Sequence, residues 1–388
     1  MTDTKHKSGQ ALALLPTGFV DLLGDDAAQE AGCIGTLMEL FTSYGYERVK
    51  PPMVEYEGSL LAPGPGAALA ADTFRLMDPQ SHKMLGIRSD ITPQISRIAR
   101  SRYEKTARPL RLAYANDVLR MRGGQDRFAR QFCKVGAEIV GDEGLDAFIE
   151  CAVLAVQGLH TLGVQDISID LALPRLVDQL FAEHKVKGAL AERLTDALDR
   201  RAADGCADAP SSLRKVLLGL IGCHGEADEA LAGLKKISLP KSSKGDVKGL
   251  TEAVAAINAA LGELGIEGVS ITIDPLERKG FDYHNGIVFA VFSKGARGEL
   301  GRGGRYDVSF GCGDEPAEAA TGFTLYMDSV RAALPPLKKR DVLAVPYGVS
   351  WGDIRDLQEQ GWIIVRSREK DVSKTATHRY KGGEIHKI

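Results

Sequence analysis

Apolar and polar residues follow two different periods along this chain, which predict helices in some segments and strands in others. Apolar residues recur at spacings of three and four between Asp26 and Tyr44, which predicts an N-terminal helix. The next stretch, YERVKPPMVEY, is predicted to be extended because its adjacent prolines exclude helix. The segments TFRLMD and HKMLGIR predict a hairpin that leads into a helix near Pro93, with Asp90 as its N-cap.

Later segments predict further strands and helices. RLAYANDVLRM and FARQFCKVGAEIV predict two strands around a polar loop, whereas the Ala- and Leu-rich residues from about 174 to 265 predict a helical insertion. VSITIDP and GIVFAVFS predict strands, and GRGGRYD predicts a tight turn with positive φ at Gly303 or Gly304. A helix is expected near Gly322–Leu334, and residues 336–388 predict a compact β-α-β appendage. The fold class is therefore α+β, with residues 1–335 as the core.

Composition and charge are those of an ordinary soluble protein. The 388 residues are 44% hydrophobic and 26% charged, and the formal net charge of −3 argues against a dominant electrostatic grip on nucleic acid. The polar start argues against a signal peptide, and no apolar run reaches the roughly 18 residues of a membrane span. The six cysteines lie far apart without a CxxC pair, so we expect a reducing cytoplasm and no metal site.

Several polar residues could contact a ligand, but each also has a simpler explanation. Asp90 and Thr92 could hold an ammonium group, or Asp90 could only cap a helix. The arginines between Arg120 and Arg130 could bind carboxylate or phosphate, or form a solvated hairpin tip. Glu138 lies in an apolar strand and needs a polar partner. Local chemistry alone predicts a protein with a candidate small-ligand pocket.

A second candidate ligand segment is GFDYHNGIVFAVF. It brings Asp282, Tyr283 and His284 to a turn before an apolar strand, where they could line a pocket for a flat ligand or form a hairpin corner. The glycines of GRGGRYD lack the spacing of a dinucleotide-binding loop, and the chain contains no phosphate-binding GxxxxGK[ST] motif. These segments give no indication of a cofactor.

Six segments, in order, resemble the class II histidyl-tRNA synthetase core over residues 16–335. They are LPTGFVDLLGDDAA for the family's start, ERVKPPMVEY for motif 1, LGIRSDITPQ for its L-R-P-E-x-T pattern, VLRMRGGQDRFARQFCKVGAEIVG for motif 2, ERKGFDYHNGIVFAVF for the histidine-specific segment, and LGRGGRYD with ATGFTLYMDSVRAAL for motif 3. The resemblance implies a class II antiparallel sheet flanked by helices.

The chain departs from the synthetase pattern where that family binds ATP. Arg122 stands in place of a motif 2 Glu, and Ser329 in place of the motif 3 Arg. Lys279 replaces an Arg of the histidine-specific segment, although Arg278 is adjacent. Loss of one such transition-state contact costs about 3 kcal/mol. Residues 336–388 are also too few for the family's anticodon-binding domain. These departures imply that no catalytic residues are retained.

The histidine side of the synthetase pocket is better retained. The resemblance implies a histidine site made by nine residues, in which Lys134 replaces a Gln and His284 a Tyr: Asp90, Thr92, Arg120, Lys134, Glu138, Lys279, Tyr283, His284 and Tyr306. A synthetase-like core that keeps histidine contacts and loses ATP contacts resembles the ATP phosphoribosyltransferase regulatory subunits. This resemblance implies the catalytic subunit of ATP phosphoribosyltransferase as partner in a hetero-oligomer, L-histidine as effector in histidine biosynthesis, and no cofactor.

The same resemblance implies a homodimer that forms through motif 1, Arg48–Tyr56, and it argues against tRNA binding. Two alternatives remain at this point. One is an active histidyl-tRNA synthetase, and the other is a stand-alone histidine-binding or tRNA-binding module. Activity of the isolated chain and its response to a catalytic partner would separate them.

Overall fold

The computed structural model describes residues 14–124, 127–308, 317–368 and 376–388. The chain divides into two compact units, residues 1–335 and residues 336–388. The larger unit holds a nine-stranded sheet, a three-stranded sheet and most of the helices, and the smaller unit holds a four-stranded sheet. This is the predicted α+β class.

The nine-stranded sheet is antiparallel at its centre. Its strand order is β1-β5-β6-β12-β11-β10-β7-β9-β8, and only the β1–β5 and β7–β9 pairs are parallel. The strands are β1 Glu47–Arg48, β5 Leu110–Leu119, β6 Gln131–Val140, β7 Ile167–Ala172, β8 Gly225–Glu226, β9 Ser270–Ile273, β10 His284–Ser293, β11 Gly301–Val308 and β12 Glu318–Tyr326.

Alternation along β6 shows how the sheet separates its two faces. Val135, Ala137 and Ile139 belong to the larger apolar cluster, which also contains residues of two helices, α1 Gly24–Ser43 and α4 Leu145–Leu162. Side chains point to opposite faces at successive strand positions, so Lys134 and Glu138 project from the other face. The sheet therefore buries one face against helices and presents polar groups on the second.

The N-terminal helix α1 confirms the predicted helix to within two residues at each end. Helix α4 is long and apolar enough to cross a membrane by length and composition alone, but most of its residues are buried against the sheet. Its apolar character is therefore explained by its place in the core.

The small sheet and its helices precede the central strands. The predicted hairpin is confirmed by strands β3 Phe74–Met77 and β4 Met84–Ile87, beside β2 Val54–Tyr56. Short helices α2 Glu57–Leu60 and Ala67–Leu69 (3-10) lie between β2 and β3, and α3 Thr92–Ser101 follows β4.

The helical insertion is confirmed, since helices occupy most of residues 176–263. They are α5 Leu176–Glu183, α6 Gly188–Asp199, the 3-10 turn Ala203–Cys206, α7 Ser211–Ile221, α8 Ala227–Leu234 and α9 Lys241–Glu263. Their apolar faces join the cluster that covers the main sheet. The helix expected near Gly322–Leu334 is shorter, because residues up to Tyr326 continue β12 and only α10, Met327–Ala333, is helical.

The smaller unit contains the predicted β-α-β segment and one hairpin that was not predicted. Its elements are β13 Val342–Pro346, α11 Trp351–Glu359, β14 Ile363–Ser367, β15 His378–Lys381 and β16 Glu384–Lys387. Strand β13 pairs in parallel with β14 and β15, and β16 closes the sheet antiparallel to β15. A small apolar core forms around Leu343 and Ile354.

The predicted turn in GRGGRYD is wrong. Gly303 and Gly304 lie within β11, and neither has a positive φ. The glycines are explained by crowding instead, because a Cβ at Gly303 would lie 2.6 Å from the Gly322 carbonyl oxygen and one at Gly304 would lie 2.7 Å from Val288. A strand can require glycine where neighbouring groups approach too closely to leave room for a side chain.

Candidate functional site

A cavity of about 300 Å³ opens on the face of the main sheet that α1 and α4 do not cover. Its wall is built by residues 68–72, the segment between β4 and α3, the β5–β6 hairpin, residues 280–283 with the start of β10, and strands β11 and β12 with the loop before β11. Polar and aromatic side chains from these segments converge on it: Asp72, Asp90, Thr92, Arg120, Arg127, Lys134, Glu138, Asp282, Tyr283, His284, Glu299, Arg302, Tyr306, Thr324 and Tyr326.

A buried ion pair joins Asp90 to Lys134. The Lys134 Nζ atom lies 2.8 Å from Asp90 Oδ2, and the lysine side chain is 2% exposed. Burial by itself would raise the pKa of Asp90, but the Lys134 ammonium outweighs it and holds this pKa below its usual range. Burial lowers the pKa of Lys134 to about 8. Both groups are therefore charged at neutral pH.

The expectation that Asp90 caps helix α3 is wrong. Helix α3 begins at Thr92, and Ile91 precedes it without a side-chain cap. Asp90 Oδ1 accepts the backbone N–H of the adjacent Ile91 at 2.6 Å, while Oδ2 faces Lys134. The carboxylate is directed into the cavity rather than along the helix.

Glu138 is held by three hydroxyl groups. Thr92 Oγ1 donates to Oε1 at 3.0 Å, Tyr306 donates to Oε2 at 3.1 Å, and Tyr114 lies 3.4 Å from Oε1. Burial raises the pKa of Glu138 to about 8, and the hydroxyl contacts only partly oppose this. The Glu138 carboxyl group therefore carries a proton at neutral pH and can donate as well as accept.

Gly322 makes room for this carboxyl group. It pairs with Glu138 across the β6–β12 ladder, and a Cβ at Gly322 would lie 1.7 Å from Glu138 Oε2. No other residue fits beneath the carboxyl group in this arrangement. The sequence signal was a lone glycine in an apolar strand, which commonly marks a close approach.

Stacked aromatic rings form the wall beside Glu138. The Tyr283 and His284 rings stack at 4.3 Å, and Tyr306 meets Tyr283 edge to face at 5.8 Å. Burial, reinforced by Arg302, lowers the pKa of His284 to about 3, so its imidazole is neutral. Its Nδ1 atom is buried and finds no hydrogen-bond partner in the part of the chain that the structure describes. Such an atom is available to a polar ligand.

Two arginines of the cavity, Arg302 and Arg127, are engaged within the protein. Arg302 donates to Glu299 Oε2 at 2.6 and 3.0 Å and to the Gly280 carbonyl at 2.6 Å. Arg127 is paired with Asp328, donates to Ser329 Oγ at 3.1 Å, and lies over the Tyr326 ring at 3.9 Å.

The structure brings eight of the nine predicted histidine-site residues to this cavity, and the exception is Lys279. Lys279 lines a neighbouring cleft with Arg278, which is paired with Asp199. The chain turns at Gly280, where φ is +75°, and Arg302 fills the space beside that glycine. Arg302, rather than Lys279, therefore supplies the positive charge at this wall.

Arg302 was missed as a cavity residue, because the sequence showed it only as part of a glycine-rich turn. Arg127 was one of the loop arginines considered for carboxylate or phosphate binding, but it was not assigned to the histidine site. Two residues were expected to mark the loss of ATP contacts. Arg122 is exposed on the β5–β6 loop, and Ser329 accepts a hydrogen bond from Arg127.

Comparisons with known proteins agree with this fold. Residues 18–330 match the sequence model of the family described as histidyl-tRNA synthetase. A solved ATP phosphoribosyltransferase regulatory subunit/histidyl-tRNA synthetase from Bacillus halodurans superposes with a TM-score of 0.77 at 21% identity and covers 94% of both chains. An ATP phosphoribosyl transferase (HisG:HisZ) complex from Thermotoga maritima gives a TM-score of 0.57 at 19% identity, covering 77% of this chain and 97% of that one. The fold is thus of the histidyl-tRNA synthetase class.

Sequence relatives define the family within that class. An ATP phosphoribosyltransferase regulatory subunit from Rhodospirillum centenum is 43% identical over 97% of both chains. One from Paramagnetospirillum magneticum is 42% identical, covering 95% of this chain and 94% of the relative. The chain belongs to the family of ATP phosphoribosyltransferase regulatory subunits, as its ordered motifs predicted.

Proposed function

We propose that this chain binds L-histidine in the cavity and passes feedback inhibition to the catalytic subunit of ATP phosphoribosyltransferase, which needs this chain for activity. The observation that carries the proposal is the set of polar groups that meet in the cavity. Asp90 is an anion and Glu138 a protonated carboxyl group, and His284 Nδ1 has no hydrogen-bond partner among the described residues. Two of the cavity's arginines, by contrast, are paired with Glu299 and Asp328.

Histidine has three groups that this cavity can satisfy. Its ammonium is expected at Asp90 and Thr92, because a buried cation requires an anionic partner. Its imidazole is expected beside Glu138 and Tyr306, where a protonated carboxyl group and a hydroxyl can meet the two ring nitrogens. Arg120 supplies positive charge for the ligand carboxylate.

We propose further that the chain does not activate amino acids itself. Adenylation needs fixed positive charge on the phosphates of ATP. Arg122 is exposed on its loop, Ser329 has a neutral side chain, and Arg127 is neutralised by Asp328. These three positions supply no free cation for a triphosphate, which argues against the synthetase alternative.

The partner and assembly proposals have separate support. The names of the relatives, and that of the Thermotoga maritima complex, favour a catalytic phosphoribosyltransferase chain as the partner. A homodimer through Arg48–Tyr56 is supported by apolar side chains that the small sheet exposes, namely Tyr56, Leu76, Met77 and Met84. Histidine would regulate this assembly by binding one of its conformational states better than another. A cytoplasmic location remains a prediction.

The proposal is tested by reconstitution with a short catalytic phosphoribosyltransferase chain. Activity should need this chain, and histidine should suppress it. Asp90→Asn should abolish the inhibition and retain the activation, while Asp178→Asn, an exposed acid outside the cavity, should behave as wild type. Histidine-dependent pyrophosphate exchange by the isolated chain would contradict the proposal, as would a partner whose activity this chain leaves unchanged.

A further inference from the structure

The acceptor that we assign to the ligand's ammonium already has a cationic partner inside the chain. Lys134 Nζ lies 2.8 Å from Asp90 Oδ2, and both side chains are largely removed from solvent, with exposures of 2% and 13%. Lys134 projects from β6 into the same cavity as Asp90. Its ammonium therefore occupies the position where a ligand's ammonium would have to bind.

The groups around Lys134 offer its ammonium no anionic partner other than Asp90 among the described residues. Arg120 and Arg127, from the β5–β6 hairpin, repel it, and the Tyr326 ring on β12 lies 5.5 Å away. Glu138 lies four residues further along β6 on the same face, and its carboxyl group is protonated at neutral pH. Among the described residues, Asp90 is the one carboxylate within ion-pair distance of Lys134.

We infer that Lys134 is an internal competitor for the ligand's ammonium group, so that an amino acid binds only when Lys134 releases Asp90. Two ammonium groups on one buried carboxylate would repel each other with little screening by water. The inference rests on the proposed histidine site. It makes Lys134 a specificity-determining residue that weakens amino-acid binding, and a ligand without an ammonium group avoids the competition.

The competition should depend on pH in a definite direction. Below about pH 8 Lys134 is charged and holds Asp90, and above it the lysine loses its proton and the attraction to Asp90. Histidine affinity of the wild-type protein should therefore rise between pH 7 and 8.5. A Lys134→Met variant shares the titration of the ligand and of Glu138, so the difference between the two proteins isolates Lys134.

Calorimetric titration of the full chain with histidine and with imidazole-4-propionate, which lacks the ammonium, tests the inference. At pH 7, Lys134→Met should bind histidine about tenfold more tightly or better, because Asp90 is left without a partner. The same change should not tighten imidazole-4-propionate. Lys248→Met, on the exposed face of α9, removes the same charge outside the cavity and should bind both ligands as wild type.

The other outcomes are equally informative. Equal or weaker histidine binding in Lys134→Met, with its melting temperature retained, would overturn the competition and leave the histidine site intact. If that variant does not fold, Lys134→Gln takes its place, and at pH 7 it should tighten the binding of histidine and not that of imidazole-4-propionate. Absence of histidine binding to the wild type and to Lys134→Gln would overturn both this inference and the proposed site.

Discussion

Replacement of Gly322 by alanine should disrupt the cavity from beneath. The new Cβ would lie 1.7 Å from Glu138 Oε2 and 2.9 Å from the Ala137 carbonyl oxygen. The strand ladder fixes Gly322 opposite Glu138, so the carboxyl group is the part that must move. Its movement would break the hydrogen bonds from Thr92 and Tyr306.

The magnitude follows from these contacts. Overpacking in a core costs about 1–3 kcal/mol, and each lost hydrogen bond costs about 1 kcal/mol more. We therefore expect Gly322→Ala to lower the free energy of unfolding by about 3–5 kcal/mol and to abolish histidine binding. Gly32→Ala is the matched control, because nothing lies within 4 Å of its new Cβ and it is inside helix α1. It should raise stability by about 0.5–1 kcal/mol.

Urea unfolding of four proteins gives the decisive measurement: wild type, Gly322→Ala, Glu138→Ala and the double variant. Truncation of Glu138 removes the atoms that the new methyl group would strike, so the two losses should be non-additive by at least about 1 kcal/mol. Additive losses would refute the steric argument and place the cost of Gly322→Ala elsewhere on β12.

Three further predictions concern binding, pH and assembly. Asp90→Ala should weaken histidine binding by about 30-fold or more in calorimetry, and wild-type affinity would place the site elsewhere. The pKa of Glu138 is about 8 in the folded chain, and its usual value is 4.5, so the contribution of this carboxyl group to stability is lost as the pH rises from one value to the other. In urea unfolding, Glu138→Gln should therefore lose less stability than the wild type between pH 5 and pH 8. In light scattering the chain should be a dimer, and Met77→Lys should shift it toward monomer, whereas a monomeric wild type would contradict the motif 1 interface.

Much of the fold could be predicted because its signals are local. The spacing of apolar residues in α1 and the alternation in β5 and β6 identify those elements without knowledge of their neighbours. The small hairpin at residues 378–387 was missed because its strands are four residues long and mostly polar. Other four-residue strands, β3 and β4, were predicted because most of their residues are apolar, whereas short polar strands carry little periodic signal.

The candidate site could be predicted only in part, because its geometry depends on pairing between distant strands. Asp90 was expected to cap a helix, and only the fold shows that Lys134, 44 positions later in the chain, lies against it. Lys279 and Arg302 present the reverse case. Sequence position favoured the lysine, but the turn at Gly280 gives that wall of the cavity to the arginine.

Under the proposed function, separate sets of contacts in the cavity let a synthetase fold lose its ATP contacts and keep a ligand site. The contacts of Glu138 come from Thr92, Tyr114 and Tyr306, and none of these side chains contacts Arg127 or Asp328 in the hydrogen bonds and ion pairs described. Substitutions at separate sites without shared partners act almost independently. A change such as serine at position 329 can therefore remove a phosphate contact without disturbing the hydrogen bonds of Glu138. Those hydrogen bonds are buried in the core of the sheet, so their loss would lower the stability of the fold.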